Sequence, residues 1–574
     1  MADSKKRPDR QRTGAPVGAS QVWDNDWTQL EGVPEIGGFE PSVPVSIVIP
    51  YYNDRPELIL TLAGLVEQSY PLSMLEVVIA DDGSDEPPEV PSFASDVLSI
   101  EVIRQERMGF GTPRARNAGV RRASGDLVIF LDADMIPERE HVEAHARWHH
   151  ATSDAVTIGR RVHADFEGIT VNQVRSSMSA DAFEQLMADR HPIEPAWITN
   201  YLDHTALLTS GSGDYWRIMS GGNLAVRRAL YDEVGGSDES FNQWGGEDNE
   251  LGFRLVQAGA LIVPEPRARC WHQGGGHEPD AEERVSLHMQ STKMRDLIAD
   301  RAYRGLQSGR SYTNPFLTVT VLGKDYEAEP VGRCVDAVLA SDLHDLMVVV
   351  VMTKDSPDLE WIDREYRGDP RVVIDVEDSA EERFKWSPVR VRLPASALLL
   401  PGALEAIVEA VSDGSIGVLH VTVPGSHDQG SVVHVVRSRA LNRVRRLHDD
   451  GVDPGPAIGA YFGERWAMGG SYGIARNGKG ARTAGTVGRR RSDLDRVEGL
   501  VDAMHTLEVT LAERDSRRAM QFANALGTLI RARTGPALKT AWSGVLGAIR
   551  NPQRHRARDR DAIERDFLDA FGLW

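Results

Sequence analysis

An α/β protein built on a mostly parallel, Rossmann-like sheet is the fold class this sequence predicts, and three observations predict it. Short apolar runs rich in β-branched residues alternate with helical patterns through the first half of the chain. The run Leu127–Leu131 is apolar at every position, as expected of a strand buried on both faces. Several such runs end in carboxylates, Asp81 and Asp82 after one, Asp132 and Asp134 after another. In a parallel sheet, ligands sit just beyond the carboxyl ends of the strands. Acids placed there need a counter-ion. Mg²⁺ or Mn²⁺ shared with phosphate oxygens would supply one, since both take hard oxygen ligands.

The elements follow in order. Val45–Ile49 is the first strand, closed by Pro50, and Pro56 opens a helix carrying Leu58, Leu62, Leu65 and Val66 on one face. Leu75–Ala80 is the second strand. Leu98–Ile103 is the third, leading through Gly109 and Gly111 to a helix with Arg114, Arg116, Asn117 and Arg121. Three strand ends therefore carry polar groups: Tyr51 to Asp54, Asp81-Asp82, and Asp132 with Asp134. A carboxylate such as Asp82 can accept from a base or ribose, and Arg116 can answer phosphate charge.

Length and composition set outer bounds. A chain of 574 residues calls for two to four domains. It is 41% hydrophobic and 26% charged, an ordinary globular balance. A net charge of −20 argues against nucleic-acid binding. Cys270 and Cys334 are too few for a disulfide framework or a structural zinc site, which suits a reducing cytoplasm. No apolar leader or 18-residue apolar run stands out. Residues 1–40, polar and rich in Pro and Gly, read as a mobile tail, with Trp23 and Trp27 able to dock.

Val45-Ser-Ile-Val-Ile-Pro-Tyr-Tyr-Asn53, Ala80-Asp-Asp-Gly-Ser84, Ala115-Arg-Asn-Ala-Gly119 and Phe130-Leu-Asp-Ala-Asp134 follow one another in order. The ordered set resembles the nucleotide-sugar-binding half of family 2 glycosyltransferases, which have the GT-A fold. The resemblance implies that Pro50, Tyr52, Asp82, Arg116, Asp132, Gly222 and Asn223 hold a nucleotide-sugar donor, with Asp82 on the uracil or ribose of a UDP-sugar. By the same carry-over Asp134 holds the metal on the diphosphate, and Asp132 contacts ribose or metal.

The acceptor half follows, over 160–215 and beyond, with Trp197, Tyr201, Tyr215 and Trp216 available to stack on sugars or to fill a core. The glycines of Ser220-Gly-Gly-Asn223 allow close backbone approach. Trp244-Gly-Gly-Glu-Asp-Asn-Glu250 resembles the acceptor-side motif of chondroitin-polymerase-like and galactosyltransferase enzymes. In these the position of Asp248 is the catalytic base, and that of Glu247 helps hold the acceptor. Relatives also place a histidine after this motif as a metal ligand, which His272 matches best, with His277 a rival.

From residue 313 a second α/β pattern reads as a faded copy of the first. Phe316–Leu322 answers the first strand, Leu346–Met352 the second, and Leu393-Pro-Ala-Ser396 stands where Leu131-Asp-Ala-Asp134 stood. Val435–Leu441 echoes Ala225–Leu230. Pro394 and Ser396 replace both aspartates, so this copy should neither bind metal nor catalyse.

Residues 491–574 read as helical. Between Ser516 and Arg558 lie nine Lys or Arg and no acid. Leu538, Trp542, Val545, Leu546 and Ile549 form one apolar stripe, suited either to an anionic membrane surface or to packing on the acidic body.

The expected organisation is thus a tail over 1–40, a GT-A domain over 41–312, a degenerate GT-A-like domain over 313–490 and a basic helical region over 491–574. The expected activity is inverting, metal-dependent transfer from a nucleotide sugar to a glycan or lipid-linked acceptor in cell-surface polysaccharide synthesis, in the cytoplasm or at the inner membrane face. Retaining transfer, sugar-1-phosphate nucleotidyl transfer and non-catalytic carbohydrate binding are the alternatives. The nucleotidyltransferase reading wants a Gly-rich basic loop after the first strand, which Tyr51–Asp54 does not supply.

Overall fold

The computed structural model describes residues 18–210, 213–274, 290–304, 310–376, 379–424, 432–449 and 454–477. The basic region and its apolar stripe at 538–549 lie outside the described residues. No described helix is long and apolar enough to cross a membrane.

The first sheet contains β1 Val45–Tyr51, β2 Leu75–Asp81, β3 Ser99–Arg104, β4 Leu127–Leu131, β5 Met135–Pro137, β6 Ala155–Ala164, β7 Asn223–Arg227 and β8 Leu261–Gln273. Its order is β3-β2-β1-β4-β7-β6-β8-β5. The first four strands are parallel; β7 runs against both its neighbours. Apolar side chains cover both faces, as the unbroken Leu127–Leu131 run requires. Ile47, Ile49, Ile129 and Leu131 pack on one side, and Val48, Val128 and Phe130 on the other. Pro50 does not close β1, which runs two residues past the expected end at Ile49, to Tyr51. Pro56 does sit in the first turn of the helix Arg55–Leu65.

The second sheet contains β9 Leu317–Leu322, β10 Leu346–Val351, β11 Val372–Asp375, β12 Val389–Pro394, β14 Val418–Thr422, β15 Val432–Arg437 and β16 Glu464–Met468. Its order is β11-β10-β9-β12-β15-β14-β16, which reproduces the first sheet strand for strand as far as β8. The short β13 Ala397–Leu399 pairs antiparallel with β17 Ile474–Arg476, as β5 pairs with the end of β8. The faded copy read from the sequence is therefore matched in topology.

The tail requires a correction. From residue 18 the segment is packed, not free. Asn25 is fully buried: its amide donates to the carbonyls of Leu208 and Ile262 and accepts from the Ile262 N–H. Its neighbour Asp24 pairs with Arg439 at 3.0 Å. Arg443, also fully buried, donates to the carbonyls of Gly259, Ala260 and Asp24. A composition that reads as tail thus forms a clasp between the two sheet domains, because its short polar side chains satisfy backbone groups that a helix or strand would have satisfied internally.

Burial works to raise the pKa of Asp24, but Arg439, Arg437 and Arg443 outweigh it and hold it below the usual carboxylate range. Removing one partner of a buried ion pair strands the other charge, at about 3–5 kcal/mol. Asp24→Ala should lose stability of that order in urea unfolding at neutral pH. A loss below about 1 kcal/mol would show that Arg439 and Arg443 are satisfied without it.

Candidate active site

The carboxyl ends of β1, β2 and β4 open on one cleft, and the loop before β7 together with the helix Glu247–Gln257 closes its other side. The centre of this cleft is a cation. Arg116, on the helix Thr112–Arg122, is 3% exposed and points both ends of its guanidinium at carboxylates. Nη1 donates to Asp248 Oδ1 at 2.6 Å, and Nη2 to Asp132 Oδ1 at 3.3 Å. Arg116 thus meets two acids, one from each half of the cleft. The other oxygen of Asp248 accepts from the Gly221 N–H at 2.7 Å.

That arrangement explains the paired glycines. A Cβ on Gly221 would collide with Arg116 Nη1 and Asp248 Oδ1, and one on Gly222 with Asp132 Oδ2. Close approach to the site's own side chains demands glycine here. Asn223 is a second correction. It is 1% exposed, its Oδ1 accepts from His141 Nε2 and His145 Nε2 at 2.9 Å each, and its Nδ2 bonds the carbonyls of Arg160 and Ala268. With its amide saturated inside the fold, Asn223 braces the loop and does not face a donor. Both histidines are held neutral by burial, His145 with its pKa lowered to about 4.

On the metal side, Asp134 Oδ2 and His272 Nε2 lie 3.1 Å apart, so the two sequence-predicted ligands meet. No group of three His, Cys, Asp or Glu poised for a metal exists among the described residues. The fit of a divalent cation rests on the chemistry of this pair and on its surroundings. One carboxylate and one imidazole suit Mn²⁺ or Mg²⁺ when other oxygens complete the shell. Burial, with the nearby charge of Asp134 next, pushes Asp54 up to about 6, which marks an excess of negative charge that a cation would relieve. His277 lies outside the described residues.

On the nucleotide side, Asp82 is 4% exposed and already held by Gln105 at 2.7 Å, Arg107 at 3.1 Å and Arg114 at 3.3 Å. Arg107 also lies over the Tyr52 ring, 3.3 Å from its centroid. Gln105 and Arg107 escaped the sequence reading. The only available signal was a pair of donors just after the third strand, facing an acidic strand end.

Glu247 and Asp248 stand in the first turn of the helix Glu247–Gln257, where the helix dipole favours anions. Glu247 is buried and accepts from the Gly245 N–H at 3.0 Å. Burial, and then the adjacent charge of Asp248, raise its pKa to about 7. Tyr215 and Trp216 are core residues, whereas Trp197 is 55% exposed.

The sequence is similar to those of known proteins. Residues 46–235 match the family model "Glycosyl transferase family 2", and residues 206–268 match "N-terminal domain of galactosyltransferase". The chain is 28% identical over 436 residues to a chondroitin synthase of Pasteurella multocida, covering 71% of this chain and 45% of that protein. It is 26% identical over 436 residues to a hyaluronan synthase of Pasteurella multocida, covering 71% and 44%. The chain spans about half the length of the curated relatives it matches. Coverage of that extent runs past the first sheet into the second. A structure of GalNAc-T7 with UDP, GalNAc and Mn²⁺ is similar at 19% identity and a TM-score of 0.30, over 43% of this chain and 48% of that one.

Gly221→Ala or Gly222→Ala should leave a folded protein whose Asp132, Arg116 and Asp248 are pushed apart. Circular dichroism is expected to be unchanged and any turnover at this cleft to fall by about a hundredfold or more. Full activity in both variants would mean that this approach is irrelevant to the chemistry.

Proposed function

Because residues 46–235 form a family 2 glycosyltransferase domain of a GT-A fold, we propose that the protein is an inverting, divalent-metal-dependent transferase that moves a sugar from a nucleotide donor, UDP-linked, to a hydroxyl of a glycan acceptor. The observation that carries this reading is the Arg116 bridge, which sets a donor-side acid and an acceptor-side acid on one rigid cation. Relatedness to chondroitin and hyaluronan synthases supports polysaccharide synthesis as the setting.

An incoming hydroxyl is a weak nucleophile and needs a carboxylate within hydrogen-bond reach. Asp248 takes that role. Arg116 and the Gly221 N–H fix its orientation, and its side chain keeps 25% exposure toward the cleft. Glu247, neutral below about pH 7, donates to an acceptor hydroxyl and positions it beside Asp248. Asp134 and His272 would hold a divalent cation, which would supply charge neutralisation for a departing nucleoside diphosphate. Arg107 and Tyr52 offer a stacked wall to the base, with Asp82 setting the loop that carries Arg107. A single displacement by the activated hydroxyl inverts the anomeric centre.

Asp248→Asn keeps the shape but cannot take a proton, so turnover should fall by about 10²–10⁴-fold while donor affinity stays near normal. Asp134→Ala should instead weaken metal-dependent nucleotide binding, read by calorimetry with and without Mn²⁺. Unchanged turnover in the first variant, or unchanged binding in the second, removes the assigned role.

Glu247 gives a pH signature. Its folded pKa is raised, so the neutral, donating form is lost as pH climbs through about 7. The rate at low acceptor concentration should therefore decline above that pH. Glu247→Gln should flatten the decline, and a profile identical in both proteins would count against the assignment.

A further inference from the structure

The matched topology allows the two sheets to be compared position by position. In the first sheet, one cross-strand row runs Val48, Phe130, Leu224, Ile158, Pro264. The first four lie in the core under Trp216 and the helix Glu247–Gln257. The corresponding row of the second sheet runs Thr320, Arg392, His434, His420, Trp466. Every apolar residue of a buried row has been replaced by a polar or amphipathic one.

Among the described residues no equivalent covering layer lies over this row. In the first domain the connection from β7 to β8 folds back over this face. The second domain's connection from β15 to β16 forms the helices Ser438–Asp449 and Pro454–Phe462 instead, and the first of these is bonded to the first domain through Asn442, Arg443 and Arg446. Exposure accordingly rises along the row, from buried Thr320 through half-buried His434 and His420 to Trp466 at 60%. Met468, on the same face of the edge strand β16, is 63% exposed.

The rings are fixed in place. Trp466 stacks on His420, centroids 4.4 Å apart and planes 27° from parallel. Trp466 Nε1 donates to Glu464 Oε1 at 2.6 Å, and His420 Nε2 lies 3.2 Å from the same oxygen. His420 Nδ1 and His434 Nδ1 are 2.7 Å apart. With the His420 proton on Nε2 toward Glu464, its Nδ1 accepts from His434 Nδ1–H, and His434 Nε2 is left as a lone-pair acceptor. Burial lowers the pKa of both imidazoles, which keeps this pattern in force at neutral pH.

A held aromatic face bordered by fixed hydrogen-bonding groups matches a pyranose, which presents a patch of C–H groups rimmed by hydroxyls. A protein partner would want a contiguous apolar area, and here two imidazoles and a carboxylate interrupt it. A net charge of −20 opposes nucleic acid.

We propose that this open face of the second sheet is a binding platform for a carbohydrate chain, with Trp466 as the stacking surface and His434 and Glu464 meeting the hydroxyls. That the bound chain is the acceptor of the transfer reaction rests on the transferase reading; the platform itself does not.

The test is native-gel migration of the full-length protein through gels containing chondroitin or, separately, dextran. Wild-type protein and Asp248→Asn should be retarded equally by at least one polymer, and which one shows whether the chain is uronate-bearing or neutral. Trp466→Ala should raise the dissociation constant at least tenfold, with Trp466→Phe between. Because Asp248→Asn is included, glycan binding that depends on Trp466 stands even if no sugar is transferred. Equal retardation of wild type and Trp466→Ala, or none in either polymer, overturns the platform. So does a self-association that Trp466→Ala abolishes without glycan binding, which would assign the face to a second copy of the chain.

Discussion

The cleft of the first domain depends on one buried guanidinium. Arg116 reaches Asp132 at the end of β4 and Asp248 at the start of a helix 132 residues further along the chain. Desolvating an arginine is expensive unless its donors are met by acids in good geometry. Here Asp248 and Asp132 take the two terminal nitrogens of Arg116, and their charges raise its pKa against the burial that would lower it. The geometry then imposes demands on its neighbours. Gly221 and Gly222 must lack side chains, and Asn223 must be anchored so that the loop carrying them cannot drift. Asn223 takes that anchor from His141 and His145, on a helix that contributes nothing to the cleft directly.

Much of this was legible from local pattern alone. Strands of unbroken Val, Ile and Leu announce burial on both faces, and acids immediately after them announce a cleft; β2 and β4 behave accordingly. Asp134 and His272, named from separate motifs, do meet. The failures share a cause. A sequence shows the cation of Arg116 but not its nearest acids, which come from positions 132 and 248. Asn223 was drawn into the donor site by its glycine neighbours, whereas the side chain points the other way. The segment 18–40 has the composition of a tail, and its anchors, Arg439 and Arg443, lie more than 400 residues away. Local composition carries no trace of partners at such separation.

The clasp also changes how the two domains relate energetically. Arg443 donates to carbonyls of the β8 approach and of the N-terminal segment while itself belonging to a helix of the second domain. Asn442 and Arg446 add bonds to Gln257 and Ala258, at the end of the helix that begins with Glu247 and Asp248. The second domain therefore braces the far end of the acceptor-side helix. The second domain thus supports the helix whose first turn carries Glu247 and Asp248.

Both domains face the same constraint: a sheet face must be covered, or it must be polar enough to meet water. The first domain covers its face with the segment after β7, and that covering layer is what brings Glu247 and Asp248 over the strand ends. The second uses the same stretch of chain to grip its neighbour. Having spent that connection on the interface, it cannot also keep Val, Phe and Leu on the uncovered row, and Arg392, His434, His420 and Trp466 stand there instead. In the second domain Pro394 and Ser396 at the end of β12 occur together with helices placed against the neighbouring domain. Among the described residues the second domain thus presents an open sheet face where the first presents a carboxylate-lined cleft.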